Sequence, residues 1–386
     1  MVTLSSAQNA LKSVYLDVLA EQLNINSNAL MSKIKQTSKD VYGKEIIKLA
    51  PFGLNGGICA SSETGNLPES AGHKYLQFKT ELKNLYGTIA LSDKAIRASM
   101  SNTGAFVNLL NDEMESLIKS SCFNLGRMIY GDGTGLLATV TVGEESTPKF
   151  SSVKNFVEGM KVDIVNASTT KTATVTFVDR RNKVVEFAES VVLENGDKIY
   201  ASGSKDNEIT GIKRLFDKTE ENKMLYGVDR SAYKWLYPYI DENSTGKPMS
   251  DALIQQALNY IEEETGSQPD FIAVSGDVRN LYQTYLTSAR RNIDVTTLAG
   301  GYKAMTYAGI PVVFERFVDD GTMYLLNTKD FNIHQLCDWE WLEGENGNIL
   351  IPSASTPTYS ATLVKYAELI CDRPYCRKIS LISDTG

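Results

Sequence analysis

The sequence contains few of the residues on which active sites most often depend. Only two of its 386 residues are histidine, His73 and His334, which excludes an HExxH metal site and leaves little support for a nucleophile paired with histidine. The five cysteines are scattered and odd in number, which is typical of a reducing cytosol without a disulfide framework. We therefore expect no catalytic residue, no metal and no cofactor.

Long apolar runs and excess basic charge are also lacking. No stretch approaches the roughly 18 consecutive apolar residues of a membrane span, and the N-terminus has neither the basic region nor the unbroken apolar run of a signal peptide. The net charge is −8, which argues against broad, sequence-independent clamping of nucleic acid. We expect at most weak contact with DNA.

The glycine-rich run GDGTG, residues 131–135, does not fit a phosphate-binding loop. It lacks the GK[ST] ending of a P-loop, and it follows a predicted helix, whereas such glycines follow a strand and open a helix. The pattern favours a structural role, in which Gly131 ends the helix in a left-handed conformation. Gly133 and Gly135 would then serve the chain reversal after it.

Two helices are predicted near the N-terminus. Over residues 7–23, the apolar side chains fall at helical spacing along a single stripe, which includes Leu11 and Val18. A second helix would carry Leu30, Met31 and Ile34 after a cap at Asn26 or Ser27. The stripe could pack within its own domain or against a neighbouring subunit, and we expect the neighbour.

Residues 75–91 have the alternation of a strand after a loop-like segment at 51–72. Leu76, Phe78, Leu82 and Tyr86 share one face, while Lys79, Glu81 and Lys83 share the other. Seventeen extended residues would reach roughly 55 Å, so one unbroken ribbon would project from the body and contact a neighbour. Two strands broken at Gly87 are the alternative. The predicted contact residues are Leu76, Phe78, Lys79, Leu82 and Lys83.

A long helix is predicted from Thr103 to Tyr130, with Leu117 in the middle of its apolar stripe. Short β-rich runs separated by turns follow as far as residue 203, and an α/β pattern begins at about residue 211. Trp339 and Trp341 alternate with acids on a probable strand, which favours core or interface packing over a sugar-binding platform.

The order of these elements resembles that of the major capsid proteins of tailed bacteriophages, a family that shares its shell fold with encapsulins and herpesvirus capsids. The resemblance rests on the ribbon ending in YGTIALS, the long helix, the YGDGTG loop, and the later segments DFIAVSGDVRNLY and YAGIPVVFERFVDDGTMYLLN. FNIHQL and TYSATLVKYAELICDRP complete it. It covers about four fifths of the chain; no single motif is diagnostic.

The resemblance implies an α+β fold of the phage major-capsid type, with an N-terminal arm, an extended β-ribbon loop, a peripheral domain with a spine helix, an axial domain and an inserted small β-barrel or sandwich. The implied divisions are an arm at 1–50, the loop and ribbon at 51–91, a peripheral domain at 92–136 with parts of 320–386, an insertion at 137–208, and the axial domain with returning peripheral strands at 209–386.

The implied function is that of a non-enzymatic capsid subunit. Pentamers and hexamers of it would form an icosahedral head around double-stranded DNA, assembled in the bacterial host cytoplasm with scaffolding and portal proteins and, in some members, a decoration protein. An encapsulin-like compartment shell is the alternative within this fold. A hydrolase or carbohydrate-binding protein with a β-module at 139–205 is the alternative from another class.

Overall fold

The computed structural model describes most of the chain. Leu11 and Val18, and most of the helix predicted over 7–23, lie outside the described residues, and so does His73. In the long helix, side chains are described from residue 112 onward. The described residues are 22–23, 28–53, 57–69, 72, 74–94, 96, 103–142, 148–166, 169–241, 247–288, 295–298, 303–344, 347–380 and 382–383.

The described residues before position 131 form five strands and one long helix. The prediction of a helix from Thr103 to Tyr130 is confirmed. The elements are β1 Lys35–Thr37, β2 Val41–Tyr42, β3 Glu45–Phe52, β4 Lys74–Glu81, β5 Lys83–Ser92 and α1 Thr103–Tyr130.

The single ribbon predicted over 75–91 is wrong, and so is the alternative break at Gly87. The chain breaks at Leu82 and Gly87 lies inside β5; β4 pairs with β3, whereas β5 pairs with a strand from the end of the chain. The physical reason is the parity of the apolar positions. Phe78 and Leu85 are both buried, but an odd spacing points them to opposite faces of one strand.

Two further expectations near the N-terminus are corrected. Strand β3 was not predicted, and it contains Pro51 and Phe52 from the segment expected to be a loop. Residues 29–33 form turns rather than the second predicted helix. The apolar side chains of that segment are nevertheless buried, because Leu30 and Met31 are at most 1% exposed. The sequence therefore predicted that these side chains are buried, but it predicted the wrong backbone conformation for them.

Helix α1 packs on β5 through the stripe that contains Leu117, which is 7% exposed. The helix comes closest to the strand at Gly87. A Cβ at Gly87 would lie 2.8 Å from Leu117 Cδ1 and 3.2 Å from Ser121 Oγ. The missing side chain therefore lets the helix lie close to the sheet.

The glycine loop reverses the chain differently from the prediction. Gly131 does not adopt a left-handed conformation; its N–H donates to Met128 O at 3.0 Å, which ends α1 with a tight turn. The left-handed positions are Gly133, with φ of 87°, and Gly135, with φ of 76°. Asp132 caps the loop, since its Oδ1 accepts from the N–H and hydroxyl of Thr134.

Residues 136–201 form a small β-barrel. Its strands run in the order β10-β9-β8-β11-β6-β7, and Phe150 N donates to Lys183 O at 3.1 Å, which brings β7 beside β10 and closes the sheet. The barrel has a separate hydrophobic cluster around Phe150, Phe156 and Ile199. The strands are β6 Leu136–Val142, β7 Pro148–Phe150, β8 Lys161–Val165, β9 Thr170–Asp179, β10 Val184–Phe187 and β11 Lys198–Ala201.

The remaining elements are mostly strands, with a few helices among them. They are α2 Ile212–Leu215, β12 Met224–Leu225, β13 Val228–Asp229, β14 Tyr239–Asp241, β15 Lys247–Pro248, α3 Asp251–Thr265, β16 Phe271–Val274, α4 Gly276–Ser288, β17 Val295–Thr297, β18 Lys303–Tyr307, β19 Ile310–Phe314, β20 Met323–Leu326, β21 Phe331–Trp341, β22 Ile351–Pro352, β23 Thr358–Cys371, β24 Arg377–Ile379 and β25 Ile382–Ser383. Short 3₁₀ turns cover Glu220–Asn222, Lys234–Leu236 and Thr328–Asp330.

Two larger sheets organise these strands. A seven-stranded sheet has the order β14-β24-β20-β16-β19-β18-β17, and a five-stranded sheet has the order β1-β21-β23-β22 with β5 also on β23. Apolar side chains of α3 and α4 join a cluster with those of the seven-stranded sheet. Ser250 caps α3, because its Oγ accepts from Leu253 N at 3.2 Å. Trp339 and Trp341 are buried, as their pattern predicted.

We expect Gly135→Ala to lower the free energy of unfolding by at least about 2 kcal/mol, because the residue is left-handed and its new Cβ would lie 2.6 Å from Ser204 O, a backbone atom. Gly43→Ala is the matched control, since Gly43 has φ of 62° and open space around it. It should cost only the conformational strain of about 1 kcal/mol. Denaturant unfolding measures both, and equal losses would contradict the close approach at Ser204.

Candidate assembly surface

The three-stranded sheet β2-β3-β4 has one buried and one exposed face. In β3 and β4 the register runs from Glu45 opposite Glu81 to Phe52 opposite Lys74. Residues opposite each other in antiparallel strands share a face, and neighbours along a strand alternate. The β3–β4 hairpin therefore has one set of side chains directed at the body and another directed away from it.

The inward face holds the hairpin against its own chain. Phe78 is 0% exposed, and its ring lies 5.5 Å from that of Tyr226. Phe52 stacks on Trp235 at 5.7 Å. The prediction that Phe78 contacts a neighbouring subunit is therefore wrong, because its whole surface is already used inside the subunit. Leu76 and Leu82 are half-buried and pack against the same core.

The outward face mixes charged residues, such as Glu45 and Lys79, with large apolar side chains that are exposed to water. Tyr42, Leu49 and Tyr75 are 64%, 61% and 59% exposed, and the pairings of Tyr42 with Glu45 and of Pro51 with Tyr75 place all three on this face. The following loop is exposed at every residue from 58 to 69. Its two large apolar side chains are Ile58 and Leu67, at 85% and 89% exposure.

Of the predicted lysines, Lys79 lies on this face and Lys83 lies at the start of β5. Lys79 Nζ forms an ion pair with Glu45 Oε2 at 3.0 Å across the hairpin. Lys83 Nζ donates to Asp206 O at 3.2 Å, which ties the start of β5 to the segment after the barrel. Roles for Leu76, Lys79, Leu82 and Lys83 in contacts between copies remain predictions.

A polar cluster fixes the base of the hairpin. Lys48 of β3 pairs with Asp372 at 2.7 Å and lies 3.2 Å from His334 Nε2. His334 Nδ1 donates to Lys39 O at 2.8 Å, so Nε2 is the acceptor from Lys48. Burial lowers the pKa of His334, and the charge of Lys48 lowers it further. The bond to Lys39 O fixes the tautomer of the imidazole, and burial favours its neutral form.

A buried ion pair joins the end of α1 to the segment after the barrel. Arg127 Nη1 and Nη2 donate to Glu208 Oε2 and Oε1 at 2.8 and 2.5 Å, with the side chains 4% and 3% exposed. Two residues further, Thr210 N and Oγ1 donate to Glu368 on β23 at 2.6 and 3.2 Å. Burial raises the pKa of Glu368 to about 7.

A second buried carboxyl group holds the N-terminal segment. Glu315 Oε1 accepts from Ala29 N at 3.1 Å, and the N–H of Leu30 also faces the carboxyl. Burial raises the pKa of Glu315 to about 8. Asn28 adds a bond from Nδ2 to Gly126 O at 3.4 Å. The segment before β1 is thus attached both to α1 and to the segment after β19.

Other kinds of site receive no support from the described part of the chain. No group of three or more His, Cys, Asp or Glu residues in it could hold a metal ion. None of the helices that the structure describes is long and apolar enough to cross a membrane.

No protein-family model matches the sequence, and neither does any curated protein. Solved structures do match the fold. A chain of the cyanophage A-1(L) capsid asymmetric unit is 10% identical and has a TM-score of 0.57, and the match covers 95% of this chain and 92% of that one. This chain has the fold of a phage capsid protein. At such low identity, the likeness establishes the fold alone.

Two further structures with this capsid fold have lower TM-scores. A chain of the satellite phage P4 procapsid is 11% identical with a TM-score of 0.47, covering 96% of this chain and 99% of that one. A chain of the holo-SrpI encapsulin complex from Synechococcus elongatus is 10% identical with a TM-score of 0.44, covering 92% and 88%.

Sequence reasoning recognised the capsid fold but missed the exposed surface residues of the hairpin. Tyr42 and Leu49 lie on strands that were not predicted, and Tyr75 was not placed on the outward face. The sequence around β3 does alternate, with Glu45, Ile47 and Leu49 on one side and Ile46, Lys48 and Ala50 on the other. Both sets mix apolar and charged residues, so the alternation did not show which face is buried.

We expect the stability of the subunit to fall as the pH rises from 6 to 9. Glu315 has a folded-state pKa of about 8 against an ordinary 4.5, so its contribution is complete below pH 4.5 and is lost as the pH rises through 8. Glu315→Gln should reduce this slope, because a neutral amide can still accept from Ala29. Glu368, whose pKa is also raised, should keep part of this pH dependence in Glu315→Gln.

Denaturant unfolding at pH 6 and pH 9 measures the effect. Glu158→Gln is the matched control, since Glu158 is exposed and should leave the slope unchanged. An identical pH dependence in the wild type and in Glu315→Gln would contradict the role given to the Glu315 carboxyl.

Proposed function

We propose that the chain is a major capsid subunit that assembles into the pentamers and hexamers of an icosahedral phage head around double-stranded DNA. The observation that carries the proposal is the outward face of the β3–β4 hairpin. The fold supports it, because chains of this fold occur in the cyanophage A-1(L) capsid. The subunit acts mechanically, without catalysis, and its place is the virion capsid.

The outward face supplies a driving force for association. Tyr42, Leu49 and Tyr75 together present three large apolar side chains to water. Burying such a side chain fully against a partner contributes about 1.5–3 kcal/mol. A hairpin that contacts a different surface on the next copy makes a heterologous contact, and heterologous contacts that repeat around a closed symmetry produce rings and shells. The ion pair of Lys79 with Glu45 lies on the same face.

The charge of the chain is compatible with packaging. A net charge of −8 provides no general attraction for phosphate backbones, so packed DNA would not adhere strongly to the wall. Scaffolding and portal proteins are the further partners expected of a DNA-containing head.

We expect the double variant Leu49→Asp, Tyr75→Asp to remain a folded subunit that forms no rings, shells or tubes. Its new carboxylates are solvated in the monomer but would be buried without partners at a contact. Leu49→Met keeps the face apolar and should assemble like the wild type. Phe78→Asp should instead unfold the subunit, since Phe78 is completely buried.

Circular dichroism measures folding, and sedimentation with electron microscopy measures assembly. A wild type that stays a 42.6 kDa monomer with and without a co-expressed scaffold would overturn the proposal. Shells formed by the double variant would place the contact elsewhere on the subunit.

We also propose that residues 137–208 are an inserted domain between the peripheral and axial parts of the subunit. The barrel has a hydrophobic cluster of its own. Its first and last strands are neighbours, with Thr139 opposite Lys198, so the chain enters and leaves at one place. Domain insertions are tolerated where the two ends of the inserted unit lie close together.

Two deletions test this arrangement. Replacing residues 140–197 by an Asn-Gly turn joins two facing strand ends and keeps Glu208, so the rest of the subunit should stay folded. Deleting 137–208 in full removes Glu208 and leaves Arg127 buried without its partner, which should cost about 3–5 kcal/mol more. Denaturant unfolding compares them, and equal stability would contradict the role of the ion pair.

A further inference from the structure

Strand β5 lies at the edge of its sheet along its whole length. It pairs with β23 through all ten of its residues, from Lys83 opposite Ala367 to Ser92 opposite Thr358. No other described strand pairs with β5, and no further backbone hydrogen bond among the described residues involves positions 84–92. In an antiparallel pair every second residue directs its N–H and C=O away from the partner, so about five residues of β5 have these groups at a free edge.

The free edge of β5 lacks the features that keep edge strands apart. Such edges are usually protected by charged side chains, by proline or by bulges. Strand β21, whose side away from β23 pairs with β1 only at Asn332–His334, has two shifts of register and the acids Asp338 and Glu340. Strand β5 has no shift of register, and Asn84–Ser92 contains neither a charged residue nor a proline. An unprotected edge of this length is typical of strands that pair with another chain.

Strand β5 is also held in a fixed position within the subunit. Helix α1 packs on one face of the strand and comes closest to it at Gly87, and β23 pairs along one edge. The other face is exposed at Asn84, Tyr86, Thr88 and Ala90. A preorganised strand loses little conformational freedom when a partner pairs with it.

A second copy of this chain fits the free edge of β5. Two β5 strands can pair antiparallel about a two-fold axis that passes through Thr88. The opposed residues are then Asn84 with Ser92, Tyr86 with Ala90, and Thr88 with itself. Lys83 of each copy lies opposite Asp93 of the other, so unlike charges meet at both ends of the pair. No like charges are opposed between these ends.

We propose that β5 pairs with β5 of a second copy across a two-fold axis at Thr88, which joins two five-stranded sheets into one. The contact rests on the assembly proposed above and adds a second kind of contact to it. Heterologous contacts close a ring, whereas an isologous contact joins a subunit of one ring to a subunit of the next. Each strand brings the same row of donors and acceptors, so the pairing leaves neither edge free.

Disulfide crosslinking of cysteine variants tests the contact and its register. The exposed Cys59 is first removed by Cys59→Ser. Side chains directly opposite each other in antiparallel strands have Cβ atoms about 4.5–5.5 Å apart, which is close to the span of a disulfide. We therefore expect Thr88→Cys to give a disulfide-linked dimer under mild oxidation, measured on a non-reducing gel.

Two further variants distinguish this register from any other. Tyr86→Cys and Ala90→Cys should each give no dimer alone, because the same residue in the two copies is then separated by about four residues, or roughly 13 Å, along the strands. Co-expression of Tyr86→Cys with Ala90→Cys subunits should give the mixed dimer, since these two positions are opposed. Thr176→Cys is the matched control: Thr176 is exposed on β9, which pairs on both edges, and it should give no dimer.

The outcomes separate this contact from the proposed function. Particles that are assembled in electron micrographs but give no dimer with Thr88→Cys would overturn the contact and leave the capsid function standing. Equal dimer yields from Thr88→Cys and Thr176→Cys would show random collision and would also overturn it. A wild type that stays monomeric, together with no dimer from Thr88→Cys, would overturn both.

A charge at the axis tests the pairing without a cysteine. Thr88→Lys places two lysines opposite each other, and like charges directly opposite are unfavourable. The subunit should stay folded by circular dichroism, since Thr88 is exposed, but its rings should no longer join into closed shells. Thr88→Ser and Thr176→Lys are the controls and should assemble like the wild type. A wild-type yield of shells from Thr88→Lys would contradict a two-fold axis at this residue.

Discussion

The buried ion pair of Arg127 with Glu208 is the constraint on which the middle of the subunit depends. Both side chains are almost inaccessible to water, so each needs the other's charge and both of the hydrogen bonds between them. The pair fixes the end of the long helix relative to the chain leaving the barrel, and Thr210 continues the connection to Glu368 on β23. Gly135 can approach Ser204 closely because these segments are held together.

The β3–β4 hairpin is held rigidly by its inward face, while its outward face stays exposed to water. Phe78 and Phe52 attach one face to aromatic rings of the body, and Lys48 secures the base through Asp372. The other face is then presented in a fixed orientation. A preorganised surface loses little conformational freedom when a partner covers it, so anchoring the inner face would also favour the association proposed for the outer face.

The sequence predicted elements whose signals are local, and it failed where burial depends on distant partners. Helix α1 and the strands of the barrel follow from periodicity and from turn residues. Phe78 was assigned to a neighbour because Tyr226, which covers it, is far away in the chain. The left-handed conformation was predicted for Gly131, whereas Gly133 and Gly135 adopt it. The position of a glycine after the end of a helix does not show which of three nearby glycines turns the chain.

The pairing of the first strands with the last ones has a consequence for synthesis on the ribosome. Strand β1 pairs with β21, and β5 pairs with β23, so the five-stranded sheet cannot be completed until nearly the whole chain has emerged. Such distant contacts form slowly, whereas the barrel pairs only with itself and can fold early. A nascent chain would therefore carry a finished barrel beside an unfinished sheet. Strand β5, on which the long helix packs, would keep an unpaired edge until the end of translation, and such edges are where nascent chains associate wrongly.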